Sequence, residues 1–385
     1  MRSIRVALLC DFAEEHWPSM DLVAEMLLDR LRAEHAGTLH VTAVRPSFIR
    51  LLSRAASTRT FSFSADRIFN RFVQYPRLLR RLRAGFDVFH IVDHSYSHLV
   101  HHLPAASTMV TCHDLDTFRS ILEPAREQRR WPFRAMTRRI ASGLGRAAKV
   151  ACVSHATRDE LLRHRLVAPE RAVAIHNGVH PIFLAPAASS AERAADSLLG
   201  APREGGFDLL HVGSTIPRKR IDLLLHVFAG LRQNFPAARL LRVGGPLTDA
   251  QSAIASTLAI ADSIVTLPPV DTATLAAIYR RAALVLMPSD SEGFGLPIVE
   301  AMASGTPVLA SSIPALVEVG GASAEYAPVG DANAWISTAT RLLHEYTRAP
   351  LQWSARRAAA RERARQFSWS EAAAAVAALY RELAA

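Results

Sequence analysis

Lysine is almost missing from this 385-residue chain: of its 45 basic residues only Lys149 and Lys219 are lysines. A mechanism that needs a Schiff-base lysine, such as pyridoxal phosphate chemistry, therefore has two candidates at most. Cysteine is scarce as well. Cys10, Cys112 and Cys152 each fall in or at the end of a strand-like run, so no disulfide framework is implied and small core thiols of a reduced compartment are expected. No apolar run approaches the roughly 18 residues of a membrane span. The apolar part of Met1–Cys10 is too short for a secretory leader and runs straight into acidic residues, so a cytoplasmic protein is expected. No repeat recurs at a fixed period. Finally, the loop after the first strand-like run, Asp11–Met20, has no glycine. The absence of Gly-x-Gly-x-x-Gly there argues against a dinucleotide oxidoreductase.

What is present is half hydrophobic, enough to fill cores, and long enough that two domains are the default. Charge is lopsided. Residues 1–180 hold 27 Lys+Arg against 17 Asp+Glu, and residues 181–385 hold 18 of each, so the whole net charge of +10 sits in the first half. Much of it lies in two segments that mix arginines with aromatics. Residues 45–84 carry Arg45, Arg50, Arg54, Arg59, Arg67, Arg71, Arg77, Arg80, Arg81 and Arg83 among Phe48, Phe61, Phe63, Phe69, Phe72 and Tyr75; residues 126–139 set arginines around Trp131 and Phe133. Such faces are usually only solvated; the functional readings are an anionic membrane face, an anionic acceptor or nucleic acid. Most of residues 45–84 is expected to be helical.

Alternating apolar runs and helical patterns predict a doubly wound α/β chain with parallel sheets. Strands are expected at Ile4–Cys10, His40–Val44, Val88–Val92, Thr108–Cys112, Val150–Ser154, Phe207–Gly213, Ala238–Gly245, Ser263–Leu267, Ala282–Met287 and Thr306–Ala310, and a turn at Asn177-Gly178. Helices are expected from Met20 after a Ser19 cap, from Thr157, from Ile221, and from Phe367 onward with Ser370 as cap. Residues 184–206 are expected to include a loose loop.

The most informative stretch runs from Pro288 to Val308. A buried strand leads into a loop with Gly293 and Gly295, then a helix that Pro297 can open and Gly305 can close, then another strand. Glycine lets backbone approach a ligand, and free amides at the helix start, those of Ile298 and Val299, would favour an anion. Glu292 and Glu300 flank this place, eight residues apart. Two carboxylates beside an anion site make sense if each accepts hydroxyls, as a sugar nucleotide provides on both sides of its diphosphate. A second strand–turn–helix, Phe207–Gly213 followed by Ser214-Thr-Ile-Pro-Arg-Lys-Arg220, places cations at its turn, where Lys219 can meet phosphate as a point charge.

The string Glu292-Gly-Phe-Gly-Leu-Pro-Ile-Val-Glu300 resembles the Glu-x7-Glu segment of the retaining glycosyltransferases of the GT-B fold, the large group 1 (family 4) type. The run from Val150 through Asn177-Gly178 resembles the segment that closes the first domain there. The resemblance implies two Rossmann-like domains with an interdomain cleft: residues 1–180 for the acceptor, residues 181–367 for the nucleotide sugar, and a C-terminal helix, 368–385, returning to the first domain. It implies metal-independent transfer, without a cofactor, from a nucleoside diphosphate sugar to a saccharide or lipid-linked acceptor with retention, in polysaccharide or glycolipid synthesis, and no nucleic acid partner. His113, at the end of a strand, and Glu292 would act at the sugar. Ser214, Arg218, Lys219, Phe294, Gly295, Leu296 and Glu300 would bind the donor, Glu300 at the ribose. Where the family often has arginine after the strand's glycine, this chain has Ser214. Asp114-Leu-Asp116 and the i, i+4, i+8 series His94, His98, His102 have the look of metal motifs, and both are set aside as structural. The rival readings are a glycoside hydrolase with Glu292 and Glu300 as its acid/base pair, and a basic nucleic-acid binder.

Overall fold

The computed structural model describes residues 3–53, 60–200 and 205–385. The chain divides into two compact units: Met1–Gly178 with Trp369–Ala385, and Val179–Ser368.

The first unit is built on a six-stranded sheet in the order β2-β1-β3-β4-β5-β6, all parallel. The strands are β1 (Ile4–Leu9), β2 (Leu39–Val44), β3 (Val88–Ile91), β4 (Thr108–Cys112), β5 (Lys149–Cys152) and β6 (Ala172–Ala174). Helices cover both faces, which is why the inner strands read as nearly unbroken apolar runs. The last helix, Trp369–Ala384, packs Ala373, Val376 and Tyr380 against Val6 and Leu8 of β1. Trp369 lies so close to Gly178 that a Cβ there would stand 2.3 Å from the Trp369 amide nitrogen. Only glycine fits that crossing.

The second unit repeats the plan with the order β12-β11-β10-β7-β8-β9, again all parallel. Its strands are β7 (Asp208–Val212), β8 (Arg239–Val243), β9 (Ile264–Leu267), β10 (Leu284–Met287), β11 (Val308–Ser311) and β12 (Glu325–Ala327). The helix Ile221–Asn234 buries Leu223, Leu224, Leu225, Val227, Phe228 and Leu231. At about 1.5–3 kcal/mol per fully buried large apolar side chain, that helix alone is a major anchor of the unit, and Phe228→Ala would cost roughly 3–5 kcal/mol.

Several local expectations are corrected. The first helix runs Pro18–Glu34, opened by proline with no side-chain cap, so Ser19 lies inside it. The helix expected from Thr157 starts two residues earlier, as His155–Arg163, and Ser154 caps it by accepting the Thr157 amide. Ser370 also lies inside its helix, where its hydroxyl donates to Glu34. Within the stretch 184–206, expected to include a loose loop, Ser189–Leu199 is a helix. Most of the described part of segment 45–84 is helical, as expected: helix runs from Phe61, through a π-type turn at Asn70–Gln74, to Leu82; Arg54 and Arg59 lie outside the described residues. Most of its aromatics are core: Phe63 and Tyr75 are buried and Phe48 stacks on Phe63, while Phe61 is 88% exposed.

In both sheets the chain doubles back beside the first strand laid down. The crevices at these reversal points, between β1 and β3 and between β7 and β10, are where open parallel sheets place ligands.

Candidate functional site

In the second unit, the loops after β7 and β10 meet at the reversal point. The Asp290 amide donates to the Arg218 carbonyl at 2.7 Å, tying the two loops together. The turn after β7 is sharp because Arg220 is left-handed, at φ 49° and ψ 51°. That conformation costs a non-glycine residue about 1–2 kcal/mol. It is offset by Asp222, which accepts from Arg220 Nε and Nη2, and by Asp290, which accepts from Nη1 at 2.9 Å.

This geometry brings three of the expected residues together. Glu292 receives Lys219 Nζ at 2.5 Å, Arg218 Nη1 at 3.1 Å and the Ser289 hydroxyl at 2.7 Å. Arg218 Nη1 also donates to the Ser291 carbonyl at 2.9 Å. Burial pushes the Glu292 carboxyl up, but Lys219 and Arg218 outweigh it and hold the acid below its usual range. Glu292 is thus held as an anion by three donors, two of them cationic, which makes it a poor partner for the acid/base pair of a hydrolase. Two cations on one carboxylate leave positive charge over.

The helix Leu296–Ala303 starts from Gly295, which is left-handed at φ 85°; a Cβ there would stand 2.5 Å from Leu316. The Ile298 amide is not free as expected: it donates to the Gly295 carbonyl at 2.9 Å. The Phe294 ring is buried, edge-on against Phe367, so this residue can offer a ligand only its backbone. Leu296 opens the helix. Glu300, one turn in, is 8% exposed and accepts the Tyr279 hydroxyl at 2.9 Å. Burial pushes its acid up to about 7, although Tyr279 pulls the other way. Ser214 is exposed on the loop after β7.

The first unit carries a different cluster at its own reversal point. His113 follows β4; its Nε2 lies 2.7 Å from the Val92 carbonyl, so that nitrogen carries the proton and donates, leaving Nδ1 as an acceptor. Burial lowers its pKa, with Asp93 opposing. Around it stand residues that sequence reasoning did not single out. Glu15 accepts from Arg71 Nε at 2.7 Å and from the Tyr96 hydroxyl at 2.8 Å, with a second Arg71 contact through Nη2. Asp93 is buried, which raises its acid, but His94, His113, Ser95 and Arg71 bring it down to about 2. Asp11 is 4% exposed, and neither of its oxygens has a hydrogen-bond partner among the described residues. Burial first, then Asp93, drive its pKa well above the carboxylate range. The signal for Asp11 was its position, directly after the first strand of a parallel sheet.

The two apparent metal motifs resolve as structure. Asp114 caps its own turn by accepting the Asp116 amide at 3.0 Å. His94–His102 is a 3-10 helix, so residues four apart do not share a face; His98 bonds the Arg71 carbonyl, and His102 meets Arg80.

Comparison with known proteins gives the same picture. Residues 206–345 match the family described as glycosyl transferases group 1, and residues 22–183 match glycosyltransferase family 4. The D-inositol 3-phosphate glycosyltransferase of Salinispora arenicola is 36% identical over 236 residues, 56% of this chain and 51% of that protein. That of Mycolicibacterium smegmatis is 34% identical over 58% of this chain and 52% of its own length. The chain spans about half the length of these curated relatives. Among solved structures, sucrose-phosphate synthase of Thermosynechococcus elongatus superposes with a TM-score of 0.76 at 21% identity, covering 99% of each chain. Anabaena Alr3699/HepE in complex with UDP-glucose superposes with a TM-score of 0.70 at 16% identity, over 98% of this chain and 100% of that one. These likenesses establish the GT-B fold. On one chain of this fold, residues 206–345 thus carry a group 1 glycosyl transferase domain and residues 22–183 a glycosyltransferase family 4 domain.

Proposed function

We propose that the protein transfers a glycosyl group from a nucleoside diphosphate sugar to a saccharide or lipid-linked acceptor, with retention at the anomeric carbon and without a metal or other cofactor. The observation that carries this reading is the convergence of Arg218, Lys219 and Glu292 from two loops at the reversal point of the second sheet. The surplus positive charge there suits a diphosphate. Arg218 and Lys219, with the start of the helix Leu296–Ala303, would stabilise charge developing on the leaving group, the part a metal ion would otherwise play. Ser214 and the Phe294–Gly295–Leu296 backbone would line the donor. Glu292 would hold sugar hydroxyls and Glu300 the ribose. His113 would turn its Nδ1 acceptor toward a hydroxyl of the sugar.

In the reaction, the bond from the anomeric carbon to the diphosphate oxygen breaks and its electron pair leaves with the phosphate. The acceptor oxygen bonds to the same face of that carbon, and its proton passes to the departing diphosphate. No side chain need be a strong base. Glu300→Ala, Lys219→Ala and His113→Ala should each lose transfer while remaining folded; full turnover in all three, measured with radiolabelled nucleotide sugars, would end the proposal.

The acceptor is proposed to be delivered at the cytoplasmic face of an anionic membrane, in polysaccharide or glycolipid synthesis. No helix among the described residues is long and apolar enough to cross a membrane. The first unit does expose Trp131 at 79%, Phe61 at 88%, and Leu51 and Leu52 at about 60%, in segments rich in arginine, as a peripheral surface would. Cosedimentation with phosphatidylglycerol vesicles should fall several-fold in Trp131→Ala/Phe61→Ala; equal cosedimentation with neutral vesicles would contradict it.

A further inference from the structure

One residue breaks the apolar run of β8. Arg242 sits among Leu240, Leu241 and Val243 and has no exposed surface. Its Nη2 donates to the Gly213 carbonyl at 3.2 Å. Nε and Nη1 have no hydrogen-bond partner among the described residues. In register, its neighbours are His211 on β7 and Thr266 on β9, not an acid. His211 is itself buried, with an unpartnered Nδ1, and burial, Arg242 and Lys219 together keep it neutral. An unpaired guanidinium taken out of water costs several kcal/mol. Among the described residues no acidic side chain pairs with it.

The location of this charge is specific. The one bond it makes is to Gly213, the residue that opens the loop carrying Arg218 and Lys219. Gly244, at φ 127°, presses on the same carbonyl: a Cβ there would stand 2.2 Å from the Gly213 oxygen. On the other side, the Lys219 stem passes 3.7 Å from where a Gly213 Cβ would be. Arg242, the Gly213 turn and Lys219 therefore form one packed column at the carboxyl ends of β7 and β8. Arg220 is neutralised by Asp222 and Asp290. Arg218 and Lys219 share Glu292, and Arg242 adds a third cation with no acidic hydrogen-bond partner among the described residues.

We propose that Arg242 is a positioning residue for the donor's diphosphate: it fixes the Gly213–Ser214 turn through the Gly213 carbonyl and supplies, from beneath, part of the surplus positive charge that a diphosphate neutralises. This rests on the donor reading above. The column explains why the cation is tolerated in the core, since its missing countercharge arrives with the substrate. It also predicts a signature that packing alone would not produce: the residue should matter for the charged part of the donor and not for its base.

The test is calorimetric titration of the full chain and of Arg242→Met, Arg242→Lys and Lys219→Ala. The probes are inorganic pyrophosphate, UDP, GDP, ADP and dTDP, and the nucleoside of whichever diphosphate binds. Arg242→Met should weaken pyrophosphate and nucleoside diphosphate binding about tenfold, leave nucleoside binding unchanged, and be largely rescued in Arg242→Lys. Should Arg242→Met fail to fold, Arg242→Gln keeps a donor for Gly213 while removing the charge, and carries the same expectation. Diphosphate binding that is abolished by Lys219→Ala but unaltered in the Arg242 variants overturns this inference and leaves the donor site standing. Equal weakening of nucleoside and diphosphate also overturns it, reducing Arg242 to packing. Absence of any diphosphate binding by the unaltered chain overturns both.

Discussion

The two units share a plan and differ in sign. Each has a parallel six-stranded sheet, and each gathers its ionisable side chains at the crevice where strand order reverses. In the first unit that crevice is acidic: Asp11, Glu15 and Asp93 surround one cation, Arg71. In the second it is basic: Arg218 and Lys219 share the carboxylate of Glu292, and Arg242 lies buried beneath the Gly213 turn. The bulk charge runs the other way, since the +10 sits wholly in residues 1–180. Net charge therefore says nothing about which crevice takes an anion. The backbone plan decides where a ligand can sit, and a handful of buried side chains decides what it can be. A basic crevice suits a diphosphate; an acidic one suits neutral hydroxyls.

Breaking the basic crevice should have the largest effect. Lys219→Ala is expected to cut transfer by a factor on the order of 10²–10³, the scale of losing one preorganised charge contact in a water-poor site, with little change in thermal midpoint. Activity within threefold of wild type would erase the contrast between the two crevices. A smaller effect is expected from Glu300. Its acid is raised to about 7, so as pH falls below that point the carboxylate is protonated and its grip on a ribose weakens. Donor KM should rise by about tenfold per unit below pH 7, and Glu300→Gln should start high and stay flat from pH 5 to 8. A wild-type profile as flat as the variant's would remove Glu300 from the donor site.

The smallest effect sharpens the acidic side. Asp11 has a folded pKa raised by burial and by Asp93. The folded state then holds a proton that the unfolded state has released, so stability falls as pH rises from the ordinary aspartate range toward the raised value. Asp11→Asn should remove that slope and raise the thermal midpoint at neutral pH by about 2–4 °C, if roughly 1 kcal/mol is recovered. A lower midpoint in the variant, by differential scanning calorimetry, would show that an ionised Asp11 is stabilising after all.

Much of the fold was legible because parallel strands are buried on both faces and so stand out as unbroken apolar runs. β12 was not, because Glu325-Tyr-Ala327 is short, edge-placed and half polar. Helix starts were misplaced where a proline opened the helix without a cap, as at Pro18, or where the true cap stood before the first periodic residue, as at Ser154. The donor-side string around Glu292 could be read because its glycines and prolines constrain backbone, and Arg218 with Lys219 because cations at a helix start oppose the dipole unless something anionic arrives. Arg242 could not be read, and Asp11 was marked only by its place after the first strand. A single charge within or just after an apolar strand carries no periodic signal, and only the packing around it shows that it is buried and unpaired.

The claim that everything else depends on is that a nucleoside diphosphate binds at the β7–β10 crevice through Lys219. Calorimetric titration of UDP, GDP, ADP and dTDP into the full chain and into Lys219→Ala measures it directly. The account predicts saturable binding of at least one of them, weakened at least about tenfold in the variant. Undiminished affinity in Lys219→Ala, or no binding of any to the unaltered protein, would contradict it.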